Sequence, residues 1–204
     1  MDGTLLDRHF DDHFWAEFLP LRYAQARGIP LEEARAELSR RYRAEEGTLN
    51  WYDVDFWSEE LGLDIMALKR QVEHLVAVHP HVVQFLLRVR GTGRRLYLVT
   101  NAHGRTLAFK LERTALAGHF HGIVTSHDLG FPKETDGFWR RLGEVVPFRP
   151  EETLLAEDTP SVLEAAVRHG VGHPVFVARP SSTLPPVRSP RFFSIHGFDE
   201  IMPP

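Results

Sequence analysis

The sequence contains no cysteine. A disulfide framework, a thiolate metal site and a cysteine nucleophile are therefore excluded. No apolar run reaches the roughly 20 residues that cross a bilayer, and nothing at the start has the order of a signal peptide. Positive charge is also in short supply. Lys and Arg number 24 against 28 Asp and Glu, a net charge of −4, and they form no stripe that would follow a nucleic-acid backbone. Internal repeats and low-complexity tracts are absent. What remains is a globular chain, expected in the cytoplasm, with no membrane or nucleic-acid partner.

Apolar residues are plentiful. They make up 43% of the 204 residues, enough for one sizeable core, or a core with a smaller one inserted. Between residues 10 and 78 the pattern is helical. Phe10, Phe14, Trp15, Phe18, Leu19 and Tyr23 recur at helical spacing. Gly28 then Pro30 mark a stop and a restart. Residues 31–44, 51–61 and 65–78 continue the helices, with Gly62 between the last two, and 82–89 adds another. From residue 96 the rhythm changes. Short apolar runs at 96–99, 123–124, 154–156 and 175–177 alternate with helical stretches, which predicts a parallel sheet covered on both faces. The tail after Pro180 is rich in Pro and Ser and is expected to wrap the surface, with Phe192, Phe193, Ile195 and Phe198 as anchors.

Four clusters fall at or near predicted strand ends, where open α/β sheets bind ligands. They are Asp2-Gly3-Thr4, Thr100-Asn101, Lys133 after Gly130-Phe131-Pro132, and Glu157-Asp158. An acid, a hydroxyl, a cation and an acid pair suit phosphoryl transfer. Carboxylates and a phosphate oxygen are the hard ligands that Mg²⁺ needs, and a hydroxyl and a lysine can hold the other phosphate oxygens. Each cluster also has a bland reading. Asp2-Gly3 is a turn, Thr100 a helix cap, Lys133 a solvated loop lysine, and Glu157-Asp158 a pair of acids favoured by a helix start.

In order and spacing the four clusters resemble the haloacid dehalogenase-like phosphohydrolases. That family's motifs are Asp-x-Asp-Gly-Thr, a strand ending in Thr or Ser, a Lys, and a strand ending in an acidic pair. Within it, "LNWYDVDFWSEELGLDI", "LVTNAHGRTLAFKLERTAL" and "GFPKE" resemble a purine nucleotidase acting on GMP and IMP. The resemblance implies an α/β fold, a Rossmann-like parallel sheet with an inserted all-helical cap. Residues 1–9 and 79–204 would be the core and 10–78 the cap. It implies that Asp2 is the general acid and base and a Mg²⁺ ligand through its carbonyl. Thr100 would bind phosphate with Asn101 as helper, and Lys133 would bridge phosphate and nucleophile. Asp158 would bind Mg²⁺, with Glu157 a second ligand, direct or through water.

The family's nucleophile is the Asp two residues before Asp2, a position that precedes Met1. The strand that carries it lies in the family's sheet between the strands at 96–99 and 154–156. Asp2 is a poor substitute, because two residues displace a carboxylate by roughly 6–7 Å, while attack needs atoms about 3–3.5 Å apart. Met1 is therefore expected to be an internal methionine, with the nucleophile upstream. The expected activity is hydrolysis of a purine 5′-mononucleotide through an aspartyl-phosphate. The alternatives are a sugar-phosphate mutase or phosphoglycolate phosphatase of the same superfamily, and a catalytically inactive nucleotide- or phosphate-binding protein. In the cap, Asn50 and Tyr52 are the expected substrate contacts, while Phe14, Trp15 and Trp57 read first as cap core. The 12 histidines show no carboxylate at a recognisable ligand spacing and read as surface residues.

Overall fold

The computed structural model describes residues 1–204. Its front half is helical. Helix α1 (His9–His13) passes through a π-helical turn at Phe14–Phe18 into α2 (Leu19–Arg27). Gly28 closes α2 at φ 66°, a left-handed conformation that costs glycine little. Pro30 precedes α3 (Leu31–Glu45). Residues 51–61 do not form the continuous helix expected from their pattern. Asn50–Tyr52 is a single 3₁₀ turn, and Asp53 is extended, with its side chain accepting the N–H groups of Asp55 and Phe56. That cap restarts the chain as α4 (Val54–Leu61). Helix α5 (Ile65–Gln71) is likewise shorter than its pattern, and a 3₁₀ turn at Glu73–Leu75 follows it.

The second half alternates. After α6 (Val82–Gly91) come β1 (Tyr97–Thr100), α7 (Gly104–Thr114), β2 (Gly122–Thr125), α8 (Ser126–Leu129) and α9 (Asp136–Val145). Then follow β3 (Leu154–Glu157), α10 (Pro160–Arg168), β4 (His173–Val177) and β5 (Phe193–Ile195). All pairings are parallel, β1 with β2, and β3 with β4 and β4 with β5. No ladder joins β1 to β3. The two pieces nevertheless act as one layer, because they share the same two cores. Leu98, Ile123, Ala156 and Val175 face a core with α6 and α7. Tyr97, Val99, Val124 and Leu155 face the core built on α9 and α10. Successive side chains of one strand thus enter opposite cores, as a sheet covered on both faces requires.

A third core fills the helical front, with Phe10, Phe14, Trp57 and Ile65 at its centre. Phe109 of α7 joins it, so this block packs on the α/β half through that helix. Strand β5 was not visible in the sequence, where its short Phe-Ser-Ile run sits in a proline-rich tail. Ile195 is fully buried and Phe198 nearly so, but Phe193 is exposed and anchors nothing. Two residues apart in β5, Phe193 and Ile195 share a face of the strand, but only Ile195 is covered by the core with Val177 and Phe198, while Phe193 at the start of the strand is left to solvent. Ile195→Ala should therefore lower the unfolding free energy by about 2–5 kcal/mol in urea titration. Phe193→Ala should stay within about 0.5 kcal/mol of the parent.

Candidate active site

Two of the four clusters stand at the carboxyl ends of parallel strands. Thr100 ends β1 and Glu157 ends β3, with Asn101 and Asp158 just beyond. Lys133 lies in the loop between α8 and α9. Asp2 enters through a tight turn in which the Met1 carbonyl accepts the N–H groups of Thr4, Leu5 and Leu6 at 3.2, 2.8 and 3.1 Å. Gly3 is obligatory in that turn. Its φ is +73°, and a Cβ there would fall 2.1 Å from Asp158 Oδ2. Asp2, Thr100, Asn101, Lys133, Glu157 and Asp158 share a cavity of about 610 Å³, and Tyr52 lines it from the helical block. Asn50 does not reach it. That residue is exposed and its amide donates to Glu45.

The charges at the base of the cavity are buried and paired. Lys133 Nζ donates to Glu157 Oε2 at 2.5 Å, and each side chain is 5% exposed. Glu157 Oε1 accepts the N–H groups of Asp158 and Thr159. Both its oxygens are thus engaged, which argues against direct ligation of a metal by Glu157. Burial opposes its ionisation, but the Lys133 ammonium prevails and brings it down to about 2. Asp158 behaves in the opposite way. Burial, then the neighbouring Glu157 charge, push it up to about 7. Thr4 Oγ1 donates to its Oδ1 at 3.1 Å and Arg8 approaches Oδ2 at 3.4 Å. A buried carboxyl that resists ionisation next to an anion fits a site completed by a divalent cation, with oxygens of Asp2 and Asp158 as hard donors.

Asn101 and Tyr52 have roles the sequence did not suggest. Asn101 Oδ1 accepts the Lys133 N–H at 2.9 Å, and its amide donates to both Glu134 oxygens at 3.1 and 3.0 Å. Tyr52 Oη donates to Glu134 Oε1 at 2.8 Å. Asn101 therefore brackets the lysine loop, and Tyr52 ties the helical block to it.

Sequence reasoning missed a second set of charges. Lys110 of α7, 2% exposed, donates to Asp2 Oδ1 at 2.6 Å and also to Asp11 Oδ2. Lys69 of α5, 1% exposed, donates to Asp11 Oδ1 at 2.8 Å and lies over the rings of Phe14 and Phe10 at 4.5 and 4.9 Å. Burial disfavours both ammonium groups. Asp11 and Asp2 overcome that at Lys110, whose pKa rises, whereas that of Lys69 falls. A signal was present, since Lys110 interrupts the apolar face of α7 between Leu107 and Leu111. Trp15, Tyr42, Trp51 and Trp57 line the same cavity, and the ring of Tyr42 meets all three tryptophans edge-on at 5.2–6.1 Å.

The raised Asp158 pKa has a consequence for metal-free protein. The folded carboxyl keeps its proton up to about 7, while the unfolded one releases it near 3.8. The native state therefore binds the extra proton in that window, and this group's contribution to stability declines as pH rises through it. Asp158→Asn should gain stability relative to the parent between about pH 4 and about pH 7. Urea unfolding in chelator across that range measures the difference, and a constant offset would contradict the assignment.

A family model described as a haloacid dehalogenase-like hydrolase matches residues 1–170. The GMP/IMP nucleotidase YrfG of Escherichia coli (strain K12) is 34% identical over 203 residues, covering 100% of this chain and 91% of that protein. The protein of the same name from Shigella flexneri matches to the same extent. Among solved structures, an HAD phosphatase from Thermococcus onnurineus has a TM-score of 0.79 at 23% identity, over 98% of this chain and 93% of that one. The L-2-haloacid dehalogenase PA0810 has a TM-score of 0.62 at 15% identity, over 99% and 95%. The two structures speak to the fold alone, whereas the family match and the full-length relatives carry the membership: this chain belongs to the haloacid dehalogenase-like hydrolases.

Proposed function

We propose that the protein is a Mg²⁺-dependent phosphomonoesterase acting on purine 5′-mononucleotides of the IMP and GMP type. The observation that carries this reading is the two-ended cavity. One end holds Thr100, Lys133 and the Asp2, Glu157 and Asp158 carboxyls, and the other is walled by Trp15, Tyr42, Trp51 and Trp57. Phosphate suits the first end, and a flat base suits aromatic rings. The name of the Escherichia coli relative points to the same substrates. In this reading residues 10–78 are a cap over a core of 1–9 and 79–204.

In the reaction of this superfamily the attacking group is a carboxylate, which corresponds to a position two residues before Asp2. The Met1 α-nitrogen is buried beside Lys133, Glu157 and Asp158, at the base of the same cluster. Attack on phosphorus forms an aspartyl-phosphate and breaks the bond to the 5′ oxygen. Asp2 gives that oxygen its proton and later takes one from the hydrolytic water. Lys110 holds the Asp2 carboxyl in place through its 2.6 Å contact. Thr100 and Lys133 hold phosphate oxygens and offset the charge that builds on them. Mg²⁺, held by Asp2 and Asp158, would add further positive charge at the phosphate. The helical block excludes bulk water from the leaving group.

Phosphate release by protein purified from its own cells should favour IMP and GMP over hexose and ribose phosphates by at least about tenfold in kcat/KM, or about 1.4 kcal/mol of discrimination. An equal rate on all of them would remove the nucleotide assignment. Isomerisation of a hexose phosphate would instead identify a mutase. Lys133→Met should lower kcat/KM by about 10²–10³. Lys110→Met should lower kcat by about tenfold or more, since general acid–base catalysis contributes about 10²–10⁴, and should raise KM as well, because the same lysine anchors α1 through Asp11.

A further inference from the structure

Away from the phosphate end, four side chains from the two halves of the molecule converge. Asp53 and Asp55 open α4 in the helical block, His103 precedes α7, and His127 lies in α8. In sequence these pairs are about 50 and 70 residues apart, so no local spacing reveals them. His103 Nε2 stands 3.7 Å from Asp53 Oδ1 and 4.0 Å from Asp55 Oδ2. His127 Nε2 is 3.9 Å from Asp53 Oδ2, and the two imidazoles lie edge-to-face with centroids 5.0 Å apart.

These separations exceed a hydrogen bond, which closes at about 2.7–3.2 Å. Besides Asp53, the Leu49 backbone carbonyl lies near the His127 ring. His103 Nδ1 and both ring nitrogens of His127 are buried without any hydrogen bond. A buried polar atom left unpaired costs about 1–3 kcal/mol, so three in one place require an explanation. On the acid side, Asp53 Oδ1 caps α4 through Asp55 N–H at 2.8 Å and Phe56 N–H at 3.2 Å. Asp55 Oδ1 pairs with Arg105. The other oxygen of each carboxylate accepts no hydrogen bond. Two carboxylates against one guanidinium leave the cluster net negative.

One ligand atom from each of Asp53, Asp55 and His103 lies within 4.8 Å of the others. His127 is set back and touches only Asp53 among the acids. Donors about 2.0–2.1 Å from a tetrahedral Zn²⁺ stand about 3.3 Å apart, so the His–Asp separations of 3.7, 4.0 and 3.9 Å need to contract by less than an ångström. Mixed imidazole and carboxylate donors select Zn²⁺ or a neighbouring late first-row ion, whereas Mg²⁺ prefers oxygens alone.

We propose that Asp53, Asp55, His103 and His127 form a second cation site, of the Zn²⁺ class, that clasps the helical block to the α/β half. The ion is held by His103 Nε2 and by His127 Nε2, one of the unpaired nitrogens, and neutralises the free carboxylate oxygens. It also adds to the Arg105–Asp55 pair that joins these elements. His103 borders the active-site cavity, so an occupied clasp restrains the wall through which substrate enters.

The test is Zn²⁺ titration by calorimetry of chelator-stripped protein in excess Mg²⁺, with Co²⁺ as a spectroscopic probe of nitrogen ligation. One Zn²⁺ per chain should bind and raise Tm, with a Co²⁺ visible spectrum to match. His127→Gln and Asp53→Asn should each weaken binding about tenfold or more, and Asn at position 53 still caps α4, so the fold is kept. Asp158→Asn should bind Zn²⁺ as the parent does. No Zn²⁺ binding in the parent would overturn the proposal. Binding lost in Asp158→Asn but kept in His127→Gln would also overturn it, because the ion would then belong to the phosphate end.

Discussion

Lys110 cannot be buried alone. Its ammonium is 2% exposed and survives there because two carboxylates face it, Asp2 from the first turn and Asp11 from α1. Asp11 in turn holds Lys69, itself buried over aromatic rings. The four groups balance in charge. Removing one partner of such a buried set leaves an uncompensated charge, at a cost of about 3–5 kcal/mol. The chain of contacts therefore locks three elements to the Asp2 turn: α1, α5 and α7. Placement of the helical block over the cavity depends on it. So does the orientation of Asp2, whose carboxyl has no other protein partner.

A second buried set repeats the logic at the sheet. Lys133 neutralises Glu157, and Asn101 clamps the backbone of Lys133 so that its ammonium arrives from a fixed loop. Asp158 is left over. With Gly3 pressed against it, there is no room beside Asp158 for a further side chain from that turn. A small, hard cation suits that confined place better than an ammonium group on a long side chain. The site is thus complete in positive charge on one side and deficient on the other, an asymmetry suited to holding an anion between lysine and metal.

The helical block serves more than burial. Its own core needs Phe14 and Trp57, and both are fully packed. Trp57 also shows a face to the cavity, as do the half-buried Trp15, Tyr42 and Trp51. The π-helical turn at Phe14–Phe18 lies where this happens. An extra residue in a helical turn shifts the side chains that follow, a device common at functional sites. One set of aromatic residues thus fills the block and lines the cavity.

The order of elements was legible in the sequence because it rests on local patterns. Alternating short apolar runs and amphipathic helices gave the parallel sheet, and Asp2, Thr100, Lys133 and Asp158 stood out because strand ends are where such sheets bind. Strand β5 was not legible. Three residues in a proline-rich tail have no periodicity, and only pairing with β4 makes them a strand. Nor was the break at Asp53, where a single side-chain cap overrides the helical pattern around it. Asn50 looked like a substrate contact because it stands at a helix start after Gly47, yet the 3₁₀ turn there leaves it exposed with its amide on Glu45. The buried lysines and the Asp53–His103–His127 cluster lay further out of reach. Their partners are separated by tens of residues, and charge pairing is set by distance in space, which the linear chain does not encode locally. The sequence alone determined the helical front and the alternation of strands and helices behind it, because both rest on local periodicity. The tertiary structure alone decided which charges are buried together, because burial makes each of them dependent on a partner that only folding supplies.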